Sequence, residues 1–289
     1  MAAAADQDNQ ERETALINVI IAARNEEAYI GACLESLLGQ SDDAGAVETI
    51  LAANACTDRT VEVARAYSDR FAARGWTLNI VEVPEPGKVN ALNAADQLAA
   101  GRALVFLDAD VRLDPDLLAQ LRDVLMTDRP LYATGRLQVA PARSWVTRQY
   151  ARLWVQLPFV KGGAVGAGLF ALNRAGRDRW AEFPAIISDD TFVRLQFTPG
   201  ERIEVTARYH WPMVEGFANL VRVRRRQDDG VREIQRLYPE IMDREAKAPV
   251  TGADLIGLLL KMPVPFAVYA LVHVAVRLRR SRDGWDRGR

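Results

Sequence analysis

Between Asn18 and Leu107 short, β-rich apolar runs alternate with stretches whose apolar residues recur at helical spacing. Asn18 to Ala22 predicts a first strand, ending in Ala23-Arg24-Asn25-Glu26-Glu27; Ile30, Cys33, Leu34, Leu37 and Leu38 then mark one face of a helix. Val47 to Ala53 predicts a second strand. The turn Asn54-Ala55-Cys56-Thr57-Asp58 opens a helix carrying Val61, Val63, Ala64 and Tyr67, with Thr57 or Asp58 as its cap. Leu78 to Val83 predicts a third strand, and the breaker run Pro84-Glu85-Pro86-Gly87 leads into a helix from Lys88. The fourth strand, Ala103 to Leu107, stops at Asp108-Ala109-Asp110. Strand and helix in this alternation predict an α/β fold, a mostly parallel sheet flanked by helices.

Beyond Asp114-Pro115, which starts another helix, the pattern is mixed. Leu131 to Ala140 alternates like a strand, and Ser144 to Leu157 has Trp145, Tyr150, Leu153 and Trp154 at helical spacing. A glycine-rich stretch from Gly162 to Gly168 leads into Leu169-Phe170-Ala171-Leu172. Ile186-Ile187-Ser188-Asp189-Asp190 opens a helix through Phe192, Val193 and Leu195, and a basic helix spans about Glu215 to Leu237. The segment from Leu255 to Leu278 is strongly apolar but is interrupted by Lys261, Pro263, Pro265 and His273, whereas a spanning helix needs about 20 uninterrupted apolar residues. Two readings stay open for it: a helical pair packed on the main domain, or a membrane-surface contact favoured by Arg277, Arg279, Arg280 and Arg282. The expected organisation is a disordered tail over 1–15, a catalytic domain over 16–240 and a C-terminal apolar and basic helical extension over 241–289.

Composition narrows the partners. A net charge of -1 with 49% hydrophobic residues gives no reason to expect a nucleic-acid partner. Cys33 and Cys56 are too few for a disulfide scaffold, and residues 1–15 lack the basic-then-apolar order of a signal peptide. The expectation is a cytoplasmic protein, with the inner face of the membrane as the alternative residence.

Open α/β sheets bind ligands beyond the carboxyl ends of their strands, which is where each polar cluster of the front half falls. Asp108 and Asp110 follow a buried strand, and alternate residues of an extended segment point the same way. Their carboxylates can share a hard cation such as Mg²⁺ or Mn²⁺, although an isolated Asp-X-Asp is also an ordinary acidic turn. Lys88, in a first helical turn after Gly87, can add a point charge where helix N-termini attract phosphate. Asp189-Asp190 can favour the helix dipole, and one of them can serve as a general base. His210 is one of only 2 histidines and a candidate third metal ligand, or a structural residue. Arg222, Arg224, Arg225 and Arg226 can face a diphosphate, an anionic acceptor or solvent, but adjacent arginines cannot all share one helix face.

These pieces together resemble glycosyltransferase family 2, on the GT-A fold. Ile20 to Glu27, Asn54 to Thr60, Gly87 to Asn93, Asp108-Ala109-Asp110 and Asp189-Asp190 occur in the family's order, over about Asn18 to Gln227. The resemblance implies a GT-A type, Rossmann-like, mixed but mostly parallel sheet flanked by helices. It implies an inverting enzyme that moves a sugar from a nucleoside-diphosphate sugar to an acceptor hydroxyl, on a glycan, a lipid-linked molecule or a small molecule. Ala23, Arg24, Asn25, Glu26 and Asn54 would hold base and ribose; Asp58, Lys88, Asn93, Asp108, Ala109 and Arg226 complete the donor contacts. Asp108 and Asp110, with His210 as third ligand, would hold Mn²⁺ or Mg²⁺. Asp190, beside Asp189, would be the catalytic base.

Two departures refine the likeness. Ala53-Asn54 stands where the family carries an aspartate pair, which weakens uracil as the base. Val223-Arg224-Arg225-Arg226-Gln227 stands where processive synthases carry Gln-X-X-Arg-Trp, which implies a single-addition enzyme. A sugar nucleotidyltransferase and a non-catalytic nucleotide-sugar-binding protein remain as rival readings.

Overall fold

The computed structural model describes residues 16–161 and 163–278. The expected tail over 1–15, Gly162 and the arginines Arg279, Arg280 and Arg282 lie outside the described residues. In chain order the elements are β1 (Ile17–Ala23), α1 (Ile30–Leu38), β2 (Val47–Asn54), α2 (Thr60–Arg65), α3 (Ser68–Ala73), β3 (Thr77–Val83), α4 (Lys88–Asp96), β4 (Ala103–Asp108), β5 (Arg112–Leu113), α5 (Leu117–Leu125) and β6 (Tyr132–Val139). Then follow α6 (Trp145–Trp154), α7 (Pro158–Lys161), β7 (Leu169–Asn173), α8 (Arg174–Arg177), α9 (Asp189–Leu195), β8 (Arg202–Trp211), α10 (Phe217–Leu237), α11 (Gly252–Lys261) and α12 (Pro263–Leu278). They form two compact units. The first contains the described residues up to Gln138, with Gly166–Ala185 and Gln196–Trp211; the second contains Val139–Val165, Ile186–Leu195 and the described residues from Pro212.

The first unit carries one sheet in the order β3-β2-β1-β4-β7-β6-β8-β5. β3, β2, β1 and β4 run parallel, while β7 is antiparallel to both β4 and β6, and β5 is antiparallel to β8. The GT-A expectation of a mixed, mostly parallel sheet is the fold observed. A parallel strand covered on both faces must be apolar along its whole length, and Ile17, Val19, Ile20 and Ile21 of β1 are fully buried. Ile17, Val19 and Ile21 pack in one cluster with Ile30, Cys33, Leu34 and Leu37 of α1. The polar residue within β1, Asn18, is buried but satisfied: it donates to Glu48 Oε2 at 2.7 Å and accepts from Gly101 N at 2.5 Å.

The helix expected after Asp58 is instead two, α2 and α3. They break at Tyr67, whose hydroxyl lies over Gly31, 3.2 Å from where a Cβ would stand. β8 was not among the expected strands, although Ile203, Val205, Ala207, Tyr209 and Trp211 recur at the strand period of two.

In the second unit, Ser144 caps α6 by accepting from Thr147 N, and both oxygens of Glu215 accept from Arg143 N and Ser144 N at 2.7 and 2.8 Å. The apolar segment from Leu255 is indeed divided, because Pro263 cannot continue a helix. α12 packs on α6 and α10, stacking Tyr269 on Tyr150 at 5.1 Å, and Arg225 donates to the carbonyls of Ala275 and Val276. Among the described residues no helix is long and apolar enough to cross a membrane.

Candidate active site

At the carboxyl edge of the parallel strands, three loops are bonded to one another by side chains. Asn25, in a left-handed conformation (φ 53°), accepts from Thr57 N at 2.8 Å and donates to Thr57 Oγ1 at 3.1 Å. Glu26 N donates to Thr60 Oγ1, Glu27 N donates to Asp58 Oδ2, and Cys56 Sγ lies 3.5 Å from Ala23 O. The loops after β1 and β2 are therefore one layer. Burial pushes the Asp58 carboxyl up, but hydrogen bonds from Thr60 and Glu27 outweigh it and hold that carboxyl below the usual range.

The second join is Asn54. Its side chain is buried; Nδ2 donates to Glu85 O at 2.6 Å and Val83 O at 3.4 Å, while Oδ1 accepts from Gly87 N at 2.7 Å. One amide thus fixes the breaker run that introduces α4. Gly87 sits at φ 147°, which L side chains rarely adopt, and the next residue, Lys88, brings Nζ to 3.2 Å from Asp108 Oδ1.

Asp108 ends β4, the innermost of the four parallel strands, and Asp108 N donates to Gly168 O at 2.9 Å. Gly168 is required there: a Cβ would stand 2.5 Å from Trp211 Cδ1 and 2.8 Å from Val111 Cγ2. The glycine-rich stretch noted in the sequence therefore includes a close approach beside the aspartate turn. Cys33 is buried beneath it, its Sγ 4.0 Å from Asp108 O; burial, then the charges of Asp110 and Asp108, push its thiol well up. Both carboxylates thus act on one buried neighbour. As hard oxygen donors at a strand end, with a lysine beside one of them, Asp108 and Asp110 fit a Mg²⁺ or Mn²⁺ ion that keeps water and phosphate oxygens as further ligands. Among the described residues no group of three or more His, Cys, Asp and Glu converges as a metal cage, and His210 Nε2 lies 2.8 Å from Asp114 Oδ1.

Asn93 is engaged elsewhere: it accepts from Phe183 N at 2.8 Å and donates to Phe183 O at 3.1 Å. One turn on, Asp96 pairs with buried Arg177, which also donates to the carbonyls of Trp180 and Ala181. α4, which begins at Lys88, therefore also anchors residues 177–183. Nothing in the sequence pattern marks this pair, whose members are far apart in the chain.

In the second unit, Asp189 is buried and Asp190 half-buried at the start of α9. Their turn is held by α10: Ile187 N donates to Glu233 Oε2 at 2.8 Å, and Ser188 packs where a side chain at Gly230 would be. Lys247, unremarked in the sequence, joins Glu245 at 3.2 Å, and Glu245 joins Arg194 at 2.6 Å. Burial and Arg194 push Lys247 below the ordinary lysine range, with Glu245 and Asp190 pulling the other way. The arginines of α10 diverge: Arg224 bonds Asp228 at 2.8 Å, Arg225 bonds carbonyls of α12, Arg222 is exposed and Arg226 half-buried.

The glycosyl transferase family 2 model matches residues 18–176. The chain is similar to the uncharacterized glycosyltransferase YibD of Escherichia coli, with 26% identity over 49% of this chain and 38% of that one. It is also similar to the hyaluronan synthase of Pasteurella multocida, with 28% identity over 50% of this chain and 14% of that one. The chain thus spans well under half the length of these curated relatives. Among solved structures, a mannosyltransferase of Pyrobaculum calidifontis in complex with GDP-Man and Mn²⁺ superimposes with a TM-score of 0.55 at 19% identity, covering 91% of this chain and 81% of that one. S. aureus TarS in complex with UDP gives a TM-score of 0.52 at 15% identity, covering 90% and 86%.

Proposed function

The chain belongs to glycosyl transferase family 2, and from that premise we propose that it transfers a sugar from a nucleoside-diphosphate sugar to an acceptor hydroxyl, using Mn²⁺ or Mg²⁺ held by Asp108 and Asp110. The observation that carries this reading is the end of β4, where Asp108 stands with Lys88 Nζ at 3.2 Å and Asp110 follows two residues on. The Mn²⁺ and the UDP and GDP-Man in structures of the same fold support a nucleotide-sugar donor and a divalent cation.

When bound, the cation supplies positive charge for the leaving diphosphate. The chain's own residues do the rest. Lys88 and the start of α4 add positive potential beside Asp108. Ala23, Arg24, Asn25 and Glu26 line the base and ribose together with Asp58, while Asn54 and Asn93 hold loops in place through amides already committed to backbone groups. His210 pairs with Asp114 at 2.8 Å, and a cation held by Asp108 and Asp110 would keep water and phosphate oxygens as its further ligands. Asp190, less buried than Asp189, accepts the acceptor's proton in a single inverting displacement. Arg226 steadies the departing diphosphate. The acceptor carries its hydroxyl on a glycan or a lipid-linked molecule, and addition is single.

Two variants test the division of roles. Asp190→Asn should keep cation-dependent nucleoside-diphosphate binding in calorimetry and lose turnover by about 10²- to 10⁴-fold, the usual worth of a positioned base. Undiminished turnover would remove Asp190 from the mechanism. Asp108→Ala should abolish the Mn²⁺-dependent part of that binding; unchanged binding would refute the cation site.

A further inference from the structure

The last two described helices expose apolar surface in an ordered way. None of the side chains of α11 is buried, and Leu255, Ile256, Leu259 and Leu260 fall on one face of it, with exposures reaching 77% at Leu260. α12 buries Pro265, Val268 and Val272. Around from that buried stripe, Val264, Ala267, Leu271, Val274 and Leu278 are all exposed, at alternating spacings of three and four that keep them in line along the helix. Exposed apolar residues aligned in this way along a helix mark an interaction surface.

Charge identifies the occupant. From Gly252, where α11 begins, to Arg289 the sequence carries seven cationic residues (Lys261, Arg277, Arg279, Arg280, Arg282, Arg287 and Arg289) against Asp254, Asp283 and Asp286; of these, Asp254, Lys261 and Arg277 belong to the described helices. A second copy of the chain would bring like charges together on an apolar seam, which opposes self-association. An anionic lipid surface meets both features, since acyl chains take the leucines and valines and headgroups take the basic ends. Neither helix is long and apolar enough to cross. We propose that α11 and α12 form a peripheral docking surface for anionic bilayers, with Ile256, Leu260 and Leu271 as its apolar anchors.

This goes beyond the reading of the chain as a transferase and does not depend on it, because vesicle binding is measured without donor or acceptor. The full chain should co-sediment with phosphatidylcholine vesicles containing about a third phosphatidylglycerol, more weakly as salt rises and hardly at all with phosphatidylcholine alone. The combined variant Ile256→Glu, Leu260→Glu, Leu271→Glu should lose at least about tenfold in partitioning, with its thermal unfolding and nucleoside-diphosphate binding unchanged. Equal binding to neutral vesicles, no binding at low salt, or full binding by the variant would each overturn the proposal. So would a vesicle-free dimer of the parent chain that the variant dissolves, since the surface would then belong to a second copy.

Discussion

Single residues here are best understood by what their polar atoms are already doing. Asn54 marks a departure from the family's aspartate pair, but only the structure reveals its work, because its partners at Val83, Glu85 and Gly87 lie on another loop. Asn54→Asp is nearly isosteric, yet it would replace a donor with an acceptor 2.6 Å from Glu85 O. Leaving buried groups mismatched costs about 1–3 kcal/mol, so thermal unfolding should move clearly downward, and an unshifted melting curve would show that the amide is not holding the loop. Glu201 offers a pH test. Hydrogen bonds from Arg179, and then from Thr198 against some burial, lower its carboxyl from 4.5 to about 2. A carboxyl lowered in the folded state contributes stability that is full above its unfolded value and lost as pH falls through the folded one. Acid denaturation between about pH 4.5 and 2 should therefore be shallower in Glu201→Gln than in the parent chain; identical acid limbs would mean that Arg179 gives Glu201 no stabilising contact.

At the scale of elements, local periodicity carried most of the information. The four parallel strands and the helix α1 were legible because a covered strand is continuously apolar and its helix repeats every three to four residues, whereas α4 was legible from the breaker run Pro84-Glu85-Pro86-Gly87 that precedes it. What escaped were features set by neighbours: the break between α2 and α3 at Tyr67, and β8, whose alternation is visible but whose partners β5 and β6 are not adjacent in sequence. Gly230 belongs here too. A glycine within the 21-residue α10 costs about 1 kcal/mol relative to alanine, and the basic character of the helix gives no reason for it. The reason is Ser188, which occupies the space of the missing side chain, with Ser188 Cβ 3.0 Å and Ile187 Cγ2 3.1 Å from where a Cβ would stand. Gly230→Ala should therefore favour the helix while pushing the turn before Asp190. A loss on the order of 10²-fold in kcat, with donor affinity retained, is the expected result for a displaced catalytic group. Unchanged kcat would mean that the turn accommodates the methyl without moving Asp190.

For the whole molecule, the sequence made the α/β class readable from Asn18 to Asp110, since each strand, loop and helix there follows in chain order. The second unit was not readable in that way. It is assembled from segments on either side of β7 and β8, so its membership depends on contacts between residues far apart in the chain. The chemistry of the donor site can nevertheless be tested on the intact chain, because a ligand that binds only the folded state adds RT ln(1 + [L]/Kd) to its stability. At 100 times Kd that is about 2.7 kcal/mol, enough to move a melting curve by several degrees in a protein of this size. A nucleoside diphosphate with Mn²⁺ should produce such a shift, and the base giving the largest one identifies the donor. EDTA should remove most of it, as should Asp108→Ala, whereas Asp190→Asn should leave it intact. A shift indifferent to EDTA would mean that the diphosphate is held by Lys88 and the start of α4 alone, and Asp108 would then be a partner for that lysine rather than a ligand for a cation.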